Sequence, residues 1–259
     1  MRQKIKNILF GLTCNEFTGT VISKLYSKGI PDLRWRGFRF VVNPKRVNKR
    51  IISSIFFGFY ESAEVRFIHK YFNGETDVVE LGGSLGIVSA HIGSMLHSNK
   101  KLFIVEPNPE LIAAATQNVS RYCKGQFELV NAALCYSGQE AALSISTNNT
   151  ASQLVNGNGA SNHEIRYVET ITLSKLIKGR NLKEYSLVCD IEGAEVDFLI
   201  NDHEALQCCR EILIELHDTS YNGKDYSVSD LANLILQQGF KRIHNEGPVF
   251  LFRKENCKN

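Results

Sequence analysis

The stretch DVVELGGSLGIVSAHIG, Asp77 to Gly93, decides the fold of this chain. A short apolar run ends in an acid, glycines follow, and apolar residues then recur at helical spacing. This order is typical of a buried strand, a tight turn and a helix at the start of an α/β sheet. Because ligands of such sheets bind at the carboxyl ends of the strands, the turn predicts a cofactor site at Gly82 and Gly83.

The glycines of this turn do not follow the dinucleotide-binding pattern G-x-G-x-x-G. Counted from Gly82, the next two glycines would fall on Ser84 and Ile87, and counting from Gly83 fails as well. The acid Glu80 lies two residues before the first glycine. It would repel the pyrophosphate of a dinucleotide and attract the sulfonium and ammonium groups of S-adenosylmethionine. The pattern therefore favours S-adenosylmethionine over a nicotinamide or flavin dinucleotide.

Composition and charge limit what the chain can be. Its 259 residues are 43% apolar and 22% charged, so it can bury a core and is not of disordered composition. A net charge of +3 is too small to indicate nucleic-acid binding. Seven cysteines without a C-x-x-C pair predict reduced thiols and a cytoplasmic location. No run reaches the ~20 apolar residues of a membrane-spanning helix, and no signal peptide is expected.

The first 50 residues hold twelve Lys and Arg but only two acids. A solvated basic face is the simplest interpretation, and the alternatives are contact with an anionic substrate, a membrane surface or a nucleic acid. Within this segment, 9–25 predicts one or two short helices, and RWRGFRFVV (34–42) alternates like a strand.

From Asp77 onward, apolar strands alternate with helices, which predicts an α/β fold with a mostly parallel sheet buried on both faces. The last two strands are predicted to form an antiparallel hairpin at the sheet edge. The predicted strands are 77–81, 102–106, 126–132, 142–146, 167–173, 186–191, 211–217, 240–244 and 248–253. The predicted helices are 61–72, 84–96, 109–122, a short one from 174, 194–200 and 227–238.

Two further strand ends are predicted to complete the cofactor site. Glu106 ends the second strand, where a carboxylate can accept hydrogen bonds from both ribose hydroxyls, and Pro107 follows it. The loop after the third strand is expected beside the adenine, with Asn131 or the backbone amide at Ala132 contacting the ring edge.

The segment SLVCDIEGAEVDFL (186–199) places Asp190 and Glu192 at the end of the strand expected next to the first one, over the cleft. Both are candidates to contact cofactor or substrate. They also offer the oxygen ligands of a divalent cation, an alternative that the sequence does not favour, so no metal site is predicted. Glu195 and Asp197 are interpreted as acids that favour a helix start.

The following strand ends in EILIELHD, and His217 near its carboxylates is a candidate general base. Asp190 and Glu192 are the other two candidates for that role. His163, in a polar loop, is a weaker one.

Taken together, several segments resemble the FkbM-type methyltransferases, a branch of the class I S-adenosylmethionine-dependent enzymes. The similarity runs in order from 58 to 217, and IEGAE with the Thr-Leu segment before it carries most of the weight. The matching segments are GFYESAE (58–64), VVELGGSLG (78–86), VEPNPELIAAATQN (105–118), VNAALCYSGQEAALSIS (130–146), VETITLSKLI (168–177), CDIEGAEVDFL (189–199) and EILIEL (211–216).

The resemblance implies a doubly wound, mostly parallel seven-stranded sheet and O-methylation of a hydroxyl, with S-adenosylhomocysteine as the product. It divides the chain into an N-terminal extension of helices and strands, 1–57, and a methyltransferase domain, 58–259. The residues that it places around the cofactor are Glu61, Glu80, Gly82, Ser84, Glu106 and Asp190.

The chain also departs from the family pattern. The family commonly has Asp where Glu80 stands, Ala-Asn where Gly83-Ser84 stand, and Lys where Val188 stands. Glu80 keeps the charge, whereas Val188 removes a cationic contact and leaves the acceptor chemistry open. We expect the Ser84 hydroxyl or amide to contact the methionine carboxylate.

The expected acceptor is a sugar hydroxyl in a cell-surface glycan or glycolipid precursor. The alternatives are methylation of a natural product or a nucleic acid, and a nucleoside-binding module without catalysis. The basic segment suggests peripheral contact with the inner face of the membrane, whereas a nucleic-acid partner is not favoured and the oligomeric state stays open.

Overall fold

The computed structural model describes residues 9–27, 33–44, 46–145, 153–154 and 164–254. The helices are α1 (Glu16–Ser27), α2 (Lys49–Phe56), α3 (Ser62–Tyr71), α4 (Ile87–Met95), α5 (Pro109–Ser120), α6 (Leu173–Gly179), α7 (Glu195–Asn201), α8 (His203–Gln207) and α9 (Val228–Gln237). The strands are β1 (Leu33–Trp35), β2 (Phe38–Phe40), β3 (Asp77–Leu81), β4 (Lys101–Val105), β5 (Gln126–Val130), β6 (Ala133–Leu134), β7 (Glu140–Ile145), β8 (Gln153–Leu154), β9 (Glu164–Ile171), β10 (Tyr185–Cys189), β11 (Cys209–Glu215), β12 (Thr219–Tyr221), β13 (Lys224–Tyr226), β14 (Phe240–Glu246) and β15 (Val249–Lys254).

Seven strands form the central sheet in the order β14-β15-β11-β10-β3-β4-β5. β15 runs antiparallel to both of its neighbours, and the remaining pairs are parallel. The predicted mostly parallel, seven-stranded sheet and its closing hairpin are therefore confirmed. The antiparallel strand β15 is the second strand of the sheet, and β14 pairs with its outer side and forms the edge.

The alternation of side chains along the strands explains why the sheet is wound on both faces. Val79 and Leu81 belong to a core covered by α6 to α9, whereas Val78 belongs to a second core covered by α1 to α5. Glu80 lies two residues after Val78 in the same strand, so its side chain points to the same face, which α1 to α5 cover.

The strand order reverses between β3 and β10, which places a cleft at their carboxyl ends. From β3 the chain continues outward through β4 and β5, and it later returns to the other side of β3 with β10 and β11. Cys189 pairs with Leu81, and the N–H of Asp190 donates to the Leu81 carbonyl at 3.0 Å. The two strand ends that the sequence placed together are neighbours.

The segment 34–42 is not the single strand that its alternation predicted. β1 and β2 form a hairpin, in which Leu33 pairs with Phe40 and Trp35 with Phe38. Arg36 and Gly37 both have positive φ, +46° and +86°, as a tight two-residue hairpin turn requires. The hairpin packs against α2 and against His91 of α4, which contacts Trp35 and Phe38. The domain boundary at residue 57 stays a prediction.

The predicted strands at 142–146 and 167–173 correspond to β7 and β9, which lie outside the central sheet in a small sheet of order β6-β9-β7-β8. They pair antiparallel, with Leu143 opposite Arg166. The reason is that the polar sequence between them contains no helical pattern, and a parallel pair needs a long crossover, usually a helix.

Among the described helices, none is both long enough and apolar enough to cross a membrane. The six cysteines within the described ranges are free thiols.

Candidate active site

The glycine turn after β3 packs directly against the end of β10. Gly82 has a φ of +90°, and a Cβ at this position would overlap the carbonyl oxygen of Asp190. The N–H groups of Gly82 and Gly83 both donate to the Val105 carbonyl, at 2.9 and 3.2 Å. The turn is thereby fixed to both neighbouring strands, β4 and β10.

The helix after the turn begins three residues later than predicted. Ser84 and Gly86 have φ values of +45° and +72°, in the left-handed region that cannot continue a right-handed helix. Helix α4 therefore begins at Ile87 rather than at Ser84.

A cavity of about 270 Å³ opens above this turn. The predicted site residues that line it are Glu61, Gly82, Ser84, Glu106, Pro107, Asp190 and Glu192. The other lining residues are Ile51, Tyr60, Leu81, Val105, Ala133, Leu134, Leu143, Ile191 and Ala194. The predicted residues Glu80, Gly83, Asn131, Ala132 and His217 do not line it. Ile51 lies on α2, on the N-terminal side of the predicted boundary at residue 57.

The loop after β5 does reach the cavity, but through other residues than the sequence suggested. Asn131 donates from Nδ2 to the carbonyls of Glu106 and Pro107, at 2.8 and 3.0 Å. The N–H of Ala132 donates to the carbonyl of Val130, and the Ala132 side chain is buried. Asn131 therefore ties two loops together, and Ala133 and Leu134 form the cavity wall beside it.

Glu106 joins the turn to the loop after β4. One of its carboxylate oxygens accepts from the N–H of Ser84 and the other from the N–H of Asn108, both at 2.7 Å. Burial raises the pKa of Glu106 to about 7, and the two backbone hydrogen bonds oppose that rise. Each oxygen keeps a lone pair for a hydroxyl in the cavity.

The same contacts decide which group of Ser84 is available to a ligand. Its amide is engaged by Glu106, whereas its hydroxyl lies 3.3 Å from the hydroxyl of Tyr60 at the cavity wall. Of the two groups that the sequence suggested, only the hydroxyl is left to contact a methionine carboxylate.

Glu80 lies beneath the turn, with 2% of its surface exposed. Its Oε2 has no hydrogen-bond partner in the described part of the chain. Burial, together with the charge of Glu106, raises the pKa of Glu80 to about 8. Glu80 does not line the cavity, so it can act on a ligand only through its charge. With a pKa of about 8 it carries that charge at neutral pH only when a bound cation lowers its pKa.

Tyr60 and Glu61 form the wall opposite the turn. Glu61 has a φ of +43° and precedes α3, and the hydroxyl of the preceding Tyr60 lies 3.3 Å from that of Ser84. Burial, and then the charge of Asp190, raise the pKa of Glu61 well above its ordinary value. Sequence reasoning did not single out Tyr60, although it directly precedes Glu61 in the segment GFYESAE.

A group of four carboxylates surrounds His217, and we call these five residues the His217 cluster. Its Nδ1 lies 3.0 Å from Oε1 of Glu195, within hydrogen-bond distance. Its Nε2 faces Oε2 of Glu192 at 3.7 Å, Oε1 of Glu215 at 3.8 Å and Oδ1 of Asp190 at 4.0 Å. Asp190 and Glu192 also line the cavity, so the cluster adjoins it.

These acids change the role that His217 can have. The hydrogen bond to Glu195 and the surrounding charges raise the pKa of His217 to about 9, although burial opposes this. The imidazole then carries its proton at neutral pH and cannot accept another. This disfavours His217 as the general base. Burial and the charge of Glu192 raise the pKa of Asp190 to about 7.

Glu195 has a role that the helix-start interpretation missed. Its side chain is completely buried, and Oε1 also accepts from the N–H of Gly193 at 3.2 Å. The sequence signal for this role was its position in EGAE, three residues after Glu192 and at the start of α7. Asp197 instead accepts from the N–H of Tyr136 and from Asn201, as a structural acid does. His163 lies outside the described residues.

Comparison with known proteins identifies the family. Residues 88–242, more than half of the chain, match the profile of the methyltransferase FkbM domain. The chain belongs to the FkbM methyltransferase family. It is thus an S-adenosylmethionine-dependent methyltransferase, as the resemblance implied. A search of curated proteins gave no match.

Similar solved structures are remote from this FkbM domain. A protein of the NADB-Rossmann superfamily from Streptococcus agalactiae is 12% identical, with 76% of this chain and 69% of that chain covered and a TM-score of 0.43. Precorrin-6y C5,15-methyltransferase from Geobacter metallireducens GS-15 is 10% identical, with 82% and 92% covered and a TM-score of 0.42. The ribosomal protein L11 methylase from Lactobacillus delbrueckii subsp. bulgaricus is 11% identical, with 75% and 79% covered and a TM-score of 0.40. At this distance they do not bear on the acceptor.

The charge and the lining residues of the FkbM site suit the methyl donor. A buried acid with an unpartnered oxygen, Glu80, lies under a cavity whose walls carry further acids, and a ligand with a sulfonium and an ammonium group complements that charge. Glu106 would hold the ribose hydroxyls and Ser84 the methionine carboxylate. The apolar side chains of Leu134 and Leu143 would cover the adenine.

Proposed function

We propose that this methyltransferase transfers the methyl group to a hydroxyl, and that the hydroxyl belongs to a sugar of a cell-surface glycan or glycolipid precursor. The observation that carries the proposal is the position of Asp190. It lines the cavity at the carboxyl end of the central strand β10, and its Oδ1 is a buried oxygen without a partner among the described residues. A carboxylate there suits a hydroxyl acceptor, because a hydroxyl must lose its proton during the transfer.

S-adenosylmethionine supplies a methyl group on a sulfonium, which passes to a nucleophile while the sulfur keeps the bonding electron pair. Asp190 accepts the proton that the acceptor hydroxyl loses, and Glu192 is the alternative acceptor. The cleft walls hold the acceptor oxygen close to the cofactor, an effect worth up to ~7–11 kcal/mol in favourable cases. A positioned base contributes a further ~10²–10⁴-fold.

A second cavity offers a path for the acceptor. It measures about 320 Å³ and shares Ile51, Tyr60 and Glu61 with the cofactor cavity. Its remaining lining residues are Phe10, Asn48, Arg50, Ser54 and Phe59. Aromatic rings beside amide and hydroxyl groups suit a sugar ring, and the guanidinium of Arg50, 5.5 Å from the ring centre of Phe10, suits a phosphate on it.

The acceptor class is tested with tritiated S-adenosylmethionine. We expect label to pass to lipid-linked or nucleotide-linked saccharides and to be stable to mild alkali, as an ether is and an ester is not. Label in RNA, DNA or a polyketide alcohol in preference to every saccharide would contradict the proposal. Binding of S-adenosylhomocysteine without transfer to any acceptor would support the non-catalytic alternative.

We further propose that the protein lies on an anionic membrane surface and binds its acceptor there. Helix α1 buries Ile22 and exposes Phe17, Val21 and Leu25 on its other side, with 77%, 43% and 48% of their surfaces accessible. Lys24 is also exposed and shares this side by helical spacing. Apolar residues interspersed with basic ones are typical of a helix that lies in a membrane interface.

The β1–β2 hairpin supports the same proposal. Arg34 and Arg39 are exposed and lie directly opposite each other in its register. Like charges in this arrangement destabilise a hairpin, so an anionic partner would relieve their repulsion. The described basic residues also include Arg36, which stacks on Trp35, whereas Arg2, Lys4, Lys6, Lys28 and Lys45 lie outside the described ranges.

Vesicle sedimentation tests this surface. The double variant Arg34→Ala/Arg39→Ala should bind phosphatidylglycerol vesicles roughly 30-fold more weakly, since each charge contributes ~1 kcal/mol. Phe17→Ser should weaken binding as well. The matched control is Lys175→Ala/Lys183→Ala, which removes two exposed charges elsewhere. Equal binding by the wild type and both sets of variants would refute the membrane proposal.

A further inference from the structure

The His217 cluster places an imidazole beside the proposed base without a hydrogen bond to it. Nε2 of His217 lies 4.0 Å from Oδ1 of Asp190, which is too long for a hydrogen bond. An opposite charge within about 4–6 Å is nevertheless close enough to favour the ionised form of a carboxylate. A protonated imidazole at this distance acts on Asp190 through its charge and occupies none of its lone pairs.

Asp190 presents different atoms to the imidazole and to the cofactor cavity. Its side chain is 28% exposed and lines the cavity, yet Oδ1 itself is buried and has no partner among the described residues. The accessible surface therefore belongs to the other atoms of the side chain. His217 does not line the cavity, so the ring does not compete with a ligand for the exposed part of Asp190.

Glu195 fixes the imidazole in this position. Nδ1 of His217 lies 3.0 Å from Oε1 of Glu195, whose side chain is completely buried. The same oxygen accepts from the N–H groups of Ile191 and Gly193, at 3.4 and 3.2 Å, which hold it in place. A buried carboxylate on one ring nitrogen favours the imidazolium, in which the opposite nitrogen also carries a hydrogen.

The groups that face the ring are acids. Asp190 and Glu192 follow β10, Glu195 begins α7 and Glu215 ends β11, and Glu64 of α3 adds a further negative charge near Asp190 and Glu215. Among the described residues, His217 is the only basic side chain paired with the four acids of the cluster. Like charges disfavour ionisation, so these carboxylates depend on the imidazole for a compensating charge.

We propose that His217 is a positioning residue of the methyl transfer, whose imidazolium holds Asp190 in the ionised form that accepts the proton of the acceptor. The role in catalysis rests on the proposed function, in which Asp190 is the base. The acceptor hydroxyl loses its proton as its oxygen bonds to the methyl group, and the carboxylate takes that proton up. His217 keeps its own proton throughout.

The pKa of Asp190 connects this role to a pH profile. Burial and the charge of Glu192 raise that pKa to about 7, and the charge of His217 opposes the rise. Removing the imidazolium should therefore raise the pKa of Asp190 further, by about 1–3. In His217→Asn, kcat at pH 7 should fall at least about 5-fold and recover as the pH rises through the new pKa. A merely structural role would lower kcat equally at every pH.

The test is an NMR titration of two labelled groups, made without acceptor and in excess chelator. With nitrogen-labelled histidine, the wild-type ring of His217 should be half-protonated near pH 9, and its signal is the one that His217→Asn lacks. With aspartate labelled at Cγ, the pKa of Asp190 should be higher in His217→Asn by about 1–3. Asparagine keeps an N–H for Glu195 but carries no charge. Glu195→Gln should lower the pKa of His217.

His203→Asn is the matched control, since His203 is exposed on α8, and it should leave both pKa values unchanged. S-adenosylhomocysteine binding checks that each variant is folded, and the wild-type titration of His217 decides if His217→Asn does not fold. A wild-type ring that loses its proton below neutral pH, or an unchanged pKa of Asp190 in His217→Asn, would overturn the proposal. Neither titration uses methyl transfer, so failure of the proposed acceptor leaves their result standing.

Discussion

Asp190→Asn should lower kcat for methyl transfer by about 10²–10⁴-fold, the usual contribution of a positioned base. The amide has the shape of the carboxylate but cannot take up the proton of the acceptor. Because the backbone N–H of Asp190 donates to Leu81 and its carbonyl packs against Gly82, the position is fixed by groups that the substitution retains. The loss should therefore lie in kcat, with the dissociation constant of S-adenosylhomocysteine changing far less.

The matched control for this variant is Asp77→Asn, at the opposite end of the sheet. Its Oδ1 accepts from the N–H of Lys101 at 2.8 Å, a contact that the amide can keep. Its kcat should equal that of the wild type. If Asp190→Asn kept kcat within threefold of the wild type while Glu192→Gln lost it, the base would be Glu192 and the assignment to Asp190 would be wrong.

Glu80→Gln should change stability and cofactor binding in opposite directions. The folded-state pKa of Glu80 is about 8, above its ordinary 4.5. The cofactor-free folded state therefore binds more protons than the unfolded chain between these values, and its stability falls as the pH rises through this window. Glutamine carries no charge, so the variant should lose this pH dependence and melt several degrees higher at pH 8, since ~1 kcal/mol corresponds to about 2–4 °C.

The cofactor should respond differently to the same change. A bound sulfonium would favour the ionised form of Glu80, whereas glutamine cannot ionise. The variant should therefore bind S-adenosylmethionine about 5–30-fold more weakly, and S-adenosylhomocysteine, which lacks the positive charge, should be affected less. Thermal melts between pH 5 and 8.5 and calorimetric titrations measure the two effects. Glu184→Gln, at an exposed glutamate, is the control and should change neither. Equal weakening of both ligands would show that Glu80 does not act through the sulfonium charge.

The sequence alone was enough to predict the central sheet and which residues lie at the ends of its strands. Strand β3 and the acid before its glycines follow from a local pattern, and Asp190 follows because a second buried run ends in an acid. The rule that parallel strands end at one edge of a sheet then brings the two turns together. Glu106 was placed for the same reason.

Contacts between distant segments could not be predicted in this way. His217 is a candidate base when only its own strand is considered, but four carboxylates from three segments surround it and raise its pKa. Asn131 has the chemistry of an adenine contact, yet its amide is used by the carbonyls of the neighbouring loop. The β1–β2 hairpin was missed because the alternation of a strand does not show where positive φ values turn the chain.

The most direct test of the central claim, that the acid-lined cavity holds the methyl donor against Asp190, is a crystal structure with S-adenosylhomocysteine. We expect Glu106 to accept from the ribose hydroxyls, the Ser84 hydroxyl to contact the methionine carboxylate, and Asp190 to face the sulfur. A ligand whose ribose lies away from Glu106, or whose sulfur is turned from Asp190 with Ser84 out of contact, would contradict the account.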